Sequence, residues 1–456
     1  MPRAGNARQG RRARGAARGP ARRRVRSGPD AVSLARSRTP PRRPRLTLQP
    51  ETTTSAPDRD AFALAGGFRS AATACGLKTS GRLDLGLVWS EGPSAAAGVF
   101  TTNRVQAAPV RLCRDALAAA AGRMRGVLFN SGCANAVTGE RGLADAARMQ
   151  ALGAAAIGAR PEEVLVLSTG VIGRFLDMEK LVAGVAALGS PGARRRPVDA
   201  AHAILTTDTD VKLAAARASL GAGEARIAGF AKGAGMIHPA MATMLAVLTT
   251  DARIEPARLD RCLRAAVSRS FNRISVDGDM STNDTVLVLA SGASGAGLED
   301  GTEPAFAAAL TGVCASLARQ IARDGEGATR LVELRVTGGA SEAQAHRVGD
   351  AVARSPLVKT AIHGNDPNWG RVLAAAGASG EPIEPGRVRL WFGAEDEVQL
   401  LERGLPLGFD AARASALLGE DPAVVHLDLG LGEGSAVVWT CDLSAEYVRV
   451  NADYTT

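Results

Sequence analysis

The residues best suited to chemistry lie near the middle of the 456-residue chain, in residues 232–245 (Lys-Gly-Ala-Gly-Met-Ile-His-Pro-Ala-Met-Ala-Thr-Met-Leu). The glycines and the proline predict a tight, irregular loop that delivers Thr243 to the start of an apolar run. If the Ala242–Thr243 bond were cut, Thr243 would carry a free α-amine beside its own hydroxyl. Such an amine has a pKa of about 8, so it can act as the base that activates the hydroxyl. By itself the pattern favours an ordinary core threonine, so this hypothesis depends on the rest of the chain.

Three further positions could serve a nucleophile of this kind. Thr169 and Gly170 follow a short buried strand, and the backbone N–H groups of such a turn can stabilise an oxyanion. Lys232, in the glycine loop, could hold a substrate carboxylate or lower the pKa of the Thr243 amine. Glu326, between two glycines, could hold a substrate amine. Each position also has a simpler interpretation, as a turn, a solvated lysine or a surface carboxylate.

Patterns for metal and nucleotide chemistry are not met. Residues 275–284 resemble a calcium loop, but the glycine and the terminal glutamate of an EF-hand are absent at the required offsets, so a hydrogen-bonded turn is predicted. Residues 430–434 do not match a dinucleotide fingerprint. The six cysteines are widely spread and form no CxxC pair, and the five histidines are scattered. We therefore expect no metal, no cofactor and a reducing compartment.

The order of predicted elements indicates the fold class. Short apolar strands and alanine-rich helices are interleaved without a strict βαβ repeat, which is typical of a mixed α/β (α+β) protein. Strands are predicted at 83–89, 97–100, 125–130 and 164–167, and the C-terminal residues 451–456 are polar. No apolar run reaches eighteen residues, so no membrane span is expected.

Charge separates the first residues from the remainder of the chain. Residues 1–46 contain fifteen arginines and a single acid, Asp30, whereas the whole chain carries +9, so the remainder carries a net −5. We expect residues 1–61 to be a disordered head and linker. The head resembles a mitochondrial transit peptide, could grip nucleic acid, or could reflect an upstream start codon in an arginine-rich coding sequence. We favour the last interpretation, which implies no nucleic-acid partner.

From about residue 62 to its end the chain resembles the ornithine acetyltransferase (glutamate N-acetyltransferase) family. The resemblance is carried by residues 98–103 (GVFTTN), 130–135 (NSGCAN), 168–173 (STGVIG), 206–209 (TTDT), 232–245, 275–284, 359–361, 366–371 (DPNWGR) and 447–456. Motifs this long and this numerous leave little room for chance. The sequence departs from the usual pattern at Ala240 and Cys133, which puts only the fine adjustment of substrate binding in doubt.

The resemblance implies a site and a processing event. It implies a layered α/β sandwich shared with self-processing aminopeptidases, and cleavage between Ala242 and Thr243 into chains 62–242 and 243–456. Thr243 would be the nucleophile, with Thr169 and Gly170 as the oxyanion hole. The implied substrate-binding residues are Thr206, Lys232, Thr243, Glu326, Asn451 and Thr456.

The implied activity is ping-pong transfer of acetyl from N-acetylornithine through Thr243 to glutamate, in arginine biosynthesis. The resemblance leaves open whether acetyl-CoA is a second acetyl donor. It implies a cytoplasmic heterotetramer of two α and two β chains, with no membrane partner. The location would be mitochondrial only if residues 1–46 were a transit peptide. Two alternatives remain: an N-terminal-nucleophile aminopeptidase or amidohydrolase of similar fold, and a nucleic-acid-binding protein that depends on residues 1–46.

Overall fold

The computed structural model describes residues 57–221, 223–238 and 244–453. The predictions for the head up to residue 56, and those for Ala242, Thr243 and Thr456, lie outside these residues. Every structural statement below concerns the described part of the chain.

The described residues form the following strands and helices. The strands are Phe68–Thr73 (β1), Leu85–Phe100 (β2), Arg123–Cys133 (β3), Val164–Val171 (β4), Lys212–Leu220 (β5), Gly223–Lys232 (β6), Leu245–Thr250 (β7), Thr285–Ala290 (β8), Leu331–Gly339 (β9), Arg389–Phe392 (β10), Val398–Glu402 (β11), Leu405–Pro406 (β12), Ala423–Asp428 (β13) and Gly434–Cys441 (β14). The helices are Ala108–Ala119 (α1), Gly139–Ile157 (α2), Met178–Leu188 (α3), Pro197–Ala203 (α4), Pro256–Ser268 (α5), Glu303–Arg323 (α6), Glu342–Ala353 (α7), Pro356–His363 (α8), Trp369–Gly377 (α9), Ala411–Leu418 (α10) and Ala445–Asp453 (α11). The mixture confirms the predicted α/β class.

The larger sheet has eight strands in the order β4-β3-β2-β8-β7-β6-β5, with β1 paired to β2. The pairs β3–β4 and β7–β8 are parallel, and the other pairs are antiparallel. The sequence predicted separate strands at 83–89 and 97–100, but the structure has the single strand β2 across both. Its register shifts between Trp89 and Ser94, where Pro93 interrupts the ladder.

Helices cover both faces of this sheet. Its central strands β7 (Leu-Ala-Val-Leu-Thr-Thr) and β8 (Thr-Val-Leu-Val-Leu-Ala) are buried along their whole length, as expected for strands that are covered on both sides. Residues of α5 and α6 pack with one face, and residues of α1, α2, α3 and α4 pack with the other. The layered arrangement agrees with the predicted fold.

A second, six-stranded sheet has the order β12-β11-β10-β13-β9-β14. It packs with α7 and α10, while α6 contacts both this sheet and the larger one. By length and composition alone α6 could cross a membrane, and half of its apolar window is buried inside the protein. Its buried side chains, among them Phe306, Leu310 and Leu317, belong to the core between the sheets.

Candidate active site

One cavity collects the predicted site residues that the structure describes. Its volume is about 160 Å³. It is lined by the predicted residues Thr169, Gly170, Thr206, Lys232, Glu326 and Asn451, together with Ala134, Ile172, Thr207, Gly235, Met236, Ser281 and Asn283. These residues are spread over more than 300 positions of the chain, so only the tertiary fold brings them together.

The wall with Thr169 and Gly170 is the end of β4, where it pairs in parallel with β3. Gly170 has φ +129°, and an added Cβ would lie 2.5 Å from the carbonyl carbon of Gly132 on β3. Only glycine fits this approach. The Asn283 side-chain nitrogen donates to the carbonyl oxygens of Ala134 at 2.6 Å and Ser168 at 2.8 Å. The amide of Asn283 therefore ties together the ends of both strands beside the predicted oxyanion donors.

Lys232 ends β6, is buried and lines the cavity. Its Nζ lies 3.9 Å from Oδ2 of Asp208, beyond hydrogen-bonding distance. Burial lowers the pKa of Lys232, and the Asp208 carboxylate opposes that effect. A buried lysine with such a distant partner can bind a substrate carboxylate.

Asp208 holds two sides of the cavity together. Its Oδ2 accepts the backbone N–H of Thr206 at 2.9 Å, and its Oδ1 accepts that of Gly233 at 2.6 Å. Burial favours the neutral acid, but the ammonium groups of Lys212 and Lys232 together hold the pKa of Asp208 well below its usual value. Asp208 is therefore an anion that holds the backbone in place at Thr206 and at Gly233.

Glu326 forms the opposite wall, in the turn between α6 and β9. Its backbone N–H donates to the carbonyl oxygen of Ala234 at 2.8 Å, and its carboxylate accepts the side-chain amide of Asn451 at 2.9 Å. A Cβ on Gly235 would lie 2.3 Å from Oε2 of Glu326, so the glycine leaves the space that the carboxylate occupies. Asn451, predicted to lie in a polar C-terminal segment, lies in α11.

The loop before the predicted cleavage point is held from below by residues 275–284. The Asp277 carboxylate accepts the backbone N–H groups of Met236 at 2.6 Å and Ile237 at 2.9 Å. Asp284 accepts the N–H of Met244 at 2.9 Å, and its complete burial raises its pKa well above the usual value. The turn network predicted for this segment is present, and it clamps the chain on both sides of residues 239–243.

Several functional candidates were missed from the sequence. Asp208 lies inside the motif 206–209 but was given no role, and neither was Lys212, one of five lysines in the chain. Asp324, Asn283 and Asp284 also received no role of their own. The scarcity of lysine could have pointed to Lys212, because few lysines persist in a chain with 50 arginines. The contacts of the other missed residues join distant parts of the chain, so no local pattern in the sequence indicates them.

Other features of the described residues do not compete with this site. A larger cavity of about 590 Å³, lined by Lys78, Arg82, Arg194 and Arg196 among others, contains none of the predicted site residues. The predicted site residues in the described part of the chain line the smaller cavity instead. No group of three or more His, Cys, Asp or Glu side chains in the described ranges is placed to hold a metal ion.

Comparison with known proteins assigns the chain to a family. The ArgJ family model matches residues 69–456. The arginine biosynthesis bifunctional protein ArgJ of Parasynechococcus marenigrum (strain WH8102) is 48% identical over 394 residues, which cover 86% of this chain and 94% of that protein. The protein of the same name from Geobacter sulfurreducens is 50% identical over 394 residues, covering 86% and 99%.

Among solved structures, the arginine biosynthesis bifunctional protein argJ from Bacillus halodurans is 43% identical. The match covers 45% of this chain and 97% of that one, with a TM-score of 0.43. Family membership follows from the family model and from the identity over nearly the whole length of the relatives. The chain belongs to the ArgJ family.

Proposed function

We propose that this protein is a glutamate N-acetyltransferase that moves the acetyl group of N-acetylornithine to glutamate in arginine biosynthesis. The observation that carries the proposal is the convergence of Lys232, Glu326 and the Thr169–Gly170 turn on one cavity. Relatives about half identical to this chain are named arginine biosynthesis bifunctional proteins.

The charges of the cavity match the substrates. The buried ammonium of Lys232 suits the α-carboxylate that both amino acids carry, and the carboxylate of Glu326 suits the side-chain ammonium of ornithine. The cavity is smaller than the roughly 300–1,000 Å³ of drug-sized sites, so one amino acid at a time is the natural occupancy. Transfer in two half-reactions meets that restriction.

Activation requires one cleavage. The Thr243 hydroxyl attacks the carbonyl carbon of Ala242, the peptide C–N bond breaks, and the freed nitrogen takes up the proton. Water then hydrolyses the resulting ester, which leaves a carboxylate on Ala242 and a free hydroxyl and amine on Thr243. The clamps at Asp277 and Asp284 support this step, because they fix the backbone on both sides of the bond.

Acetyl transfer then uses the same oxygen. Thr243 Oγ attacks the acetyl carbonyl of N-acetylornithine and passes its proton to its own amine, and that proton leaves with the α-nitrogen of ornithine as the amide C–N bond breaks. Glutamate's α-amine attacks the acetyl ester, and Thr243 regains its proton. An oxyanion forms in each half-reaction, and each donor at the Thr169–Gly170 turn should lower the barrier by about 3 kcal/mol.

The sheet order explains how two cleaved chains would stay together. Strands β7 and β8 follow the cleavage point, yet they lie between β2 and β6, which precede it. Separating the chains would therefore break ladders on both sides of the central pair. We propose that the cleaved αβ unit pairs into a heterotetramer in the cytoplasm, where the six free cysteines would stay reduced.

A denaturing mass measurement and an acetyl-transfer assay test the proposal together. We expect two fragments that divide before Thr243, a single chain for Thr243→Ala, and acetylglutamate rather than free acetate as product. Release of acetate alone would favour the amidohydrolase alternative, and an uncleaved active protein would refute the nucleophile. Acetyl-CoA replaces acetylornithine in a parallel reaction, which decides whether it is a second donor.

A further inference from the structure

A buried network of four charges lies behind the cavity, formed by Asp208, Lys212, Lys232 and Asp324. The side chains of Asp208, Lys212 and Lys232 are 0%, 1% and 2% exposed, and that of Asp324 is 12% exposed. Lys212 begins β5 and Lys232 ends the neighbouring strand β6. Charges this deeply buried interact strongly, because little water screens them.

The pairing within the network is uneven. Lys212 Nζ donates to Asp208 Oδ1 at 2.6 Å and also forms an ion pair with Asp324. Among the residues that the structure describes, Lys232 has one carboxylate within ion-pair reach, that of Asp208 at 3.9 Å. One cation therefore has two close carboxylates, whereas the cation that faces the substrate shares one of them from a distance.

Lys232 is exposed to opposing influences from its neighbours. Burial is the largest and lowers the pKa of Lys232, Asp208 raises it, and Lys212 lowers it. In the described part of the chain, the titratable groups that interact electrostatically with Lys232 are Asp208, Lys212, Glu326, Asp284 and Lys78. The protonation of Lys232 thus depends on how much of the negative charge of Asp208 is neutralised by Lys212.

We propose that Asp208 is a positioning residue that keeps Lys232 charged for the substrate carboxylate, and that Lys212 and Asp324 adjust this effect from behind. Asp208 acts through Lys232 and through the N–H groups of Thr206 and Gly233, without touching substrate. Asp324 shares the ammonium of Lys212 with Asp208, so Lys212 neutralises less of the Asp208 charge and more of that charge acts on Lys232. The inference rests on the proposed function, in which Lys232 binds that carboxylate.

The sign of the pH effect follows directly. Carboxylate binding needs protonated Lys232, so binding is complete below the pKa of Lys232 and is lost as the pH rises through it. Removing the negative charge of Asp208 lowers that pKa and moves the loss to lower pH. Removing the positive charge of Lys212 raises the pKa and moves the loss to higher pH. A purely structural role would not produce shifts of opposite direction.

The experiment records KM and kcat for glutamate against pH in the full-length cleaved enzyme. For Asp208→Asn we expect the alkaline rise of KM to begin roughly one pH unit lower than in the wild type, with KM up to about tenfold higher within that window and kcat changed less. For Lys212→Met we expect the rise at higher pH. For Asp324→Asn, which lets Lys212 rest on Asp208 alone, we expect a smaller shift to lower pH.

Controls keep the inference falsifiable. Glu224→Gln removes the exposed ion pair with Arg217 on the same two strands and should leave the profile unchanged. Lys212→Met leaves the carboxylates of Asp208 and Asp324 without their shared cation, so this variant could fail to fold. In that case Asp208→Asn and Asp324→Asn decide, with glutamate binding measured by calorimetry at each pH. Unmoved profiles in both, or shifts of one direction in all three variants, would overturn the inference. A wild-type protein that neither cleaves nor transfers acetyl would instead refute the proposed function.

Discussion

The two ends of the cavity carry opposite charges in different surroundings. At one end Lys232 is buried over the Asp208–Lys212–Asp324 network, and at the other Glu326 lies in a partly open turn beside the exposed Asn451. Water screens the second end but not the first. We therefore expect the Lys232 end, proposed to bind the substrate carboxylate, to dominate affinity. The Glu326 end, proposed to bind the substrate ammonium, should mainly distinguish ornithine from other donors.

The largest effect is expected at the buried end. Lys232→Met removes the only described cation that lines the cavity, and we expect kcat/KM for both substrates to fall at least about 100-fold, because a buried charge pair loses one partner. Steady-state kinetics with glutamate and with acetylornithine measure the change. Self-cleavage, followed by denaturing mass, serves as the control for folding. A fall of only a few-fold would contradict the proposed difference between the ends.

A smaller and more selective effect is expected for Glu326→Gln. The amide cannot pair with the ornithine ammonium, so kcat/KM for acetylornithine should fall about tenfold, while the half-reaction with glutamate changes less. Single-turnover measurements of each half-reaction separate the two. Equal losses for both substrates would show that Glu326 does not select for the ammonium group.

Gly235→Ala tests the same end through its geometry. The added Cβ would meet the Glu326 carboxylate at 2.3 Å and push it away from its position. Because the end of a flexible side chain can move, we expect a several-fold rise in KM for acetylornithine and a melting temperature close to that of the wild type. Gly377→Ala is the matched control, since an added Cβ there meets nothing within 4 Å. A loss of folding would contradict this interpretation.

The smallest effect is expected for Asn451→Ala. It removes one exposed hydrogen bond to Glu326, so a two- to threefold rise in KM for acetylornithine is expected, of the order of a net hydrogen bond of about 0.5 kcal/mol. Combining it with Glu326→Gln should add little further loss, because both changes act on one carboxylate. Full additivity in this double-mutant cycle would show that Asn451 acts independently of Glu326.

The proportion of the site that could be predicted varies with the kind of residue. Lys232, Glu326, Thr169 and Gly170 stand in local patterns of glycine and strand ends, so each had a chemical hypothesis before any fold was known. Lys212 begins an ordinary strand sequence and Asp324 directly follows a helix, and their role depends on a contact across more than 100 residues. Strand β2 was divided wrongly for a related reason, because it pairs with β3 before Pro93 and resumes its pairing with β3 and β8 after it.

By itself the sequence determined the mixed α/β class, the irregular segment 233–238 after Lys232 and the types of charge that line the cavity. These are local properties, which depend on backbone freedom, apolar patterning and the chemistry of single side chains. Only the tertiary structure decided that Lys232 is buried with its carboxylate partner 3.9 Å away, whereas Glu326 is partly exposed and hydrogen-bonded to Asn451. Burial and the sharing of counter-charges are set by strands and turns far apart in the chain, and they control how strongly each charge acts.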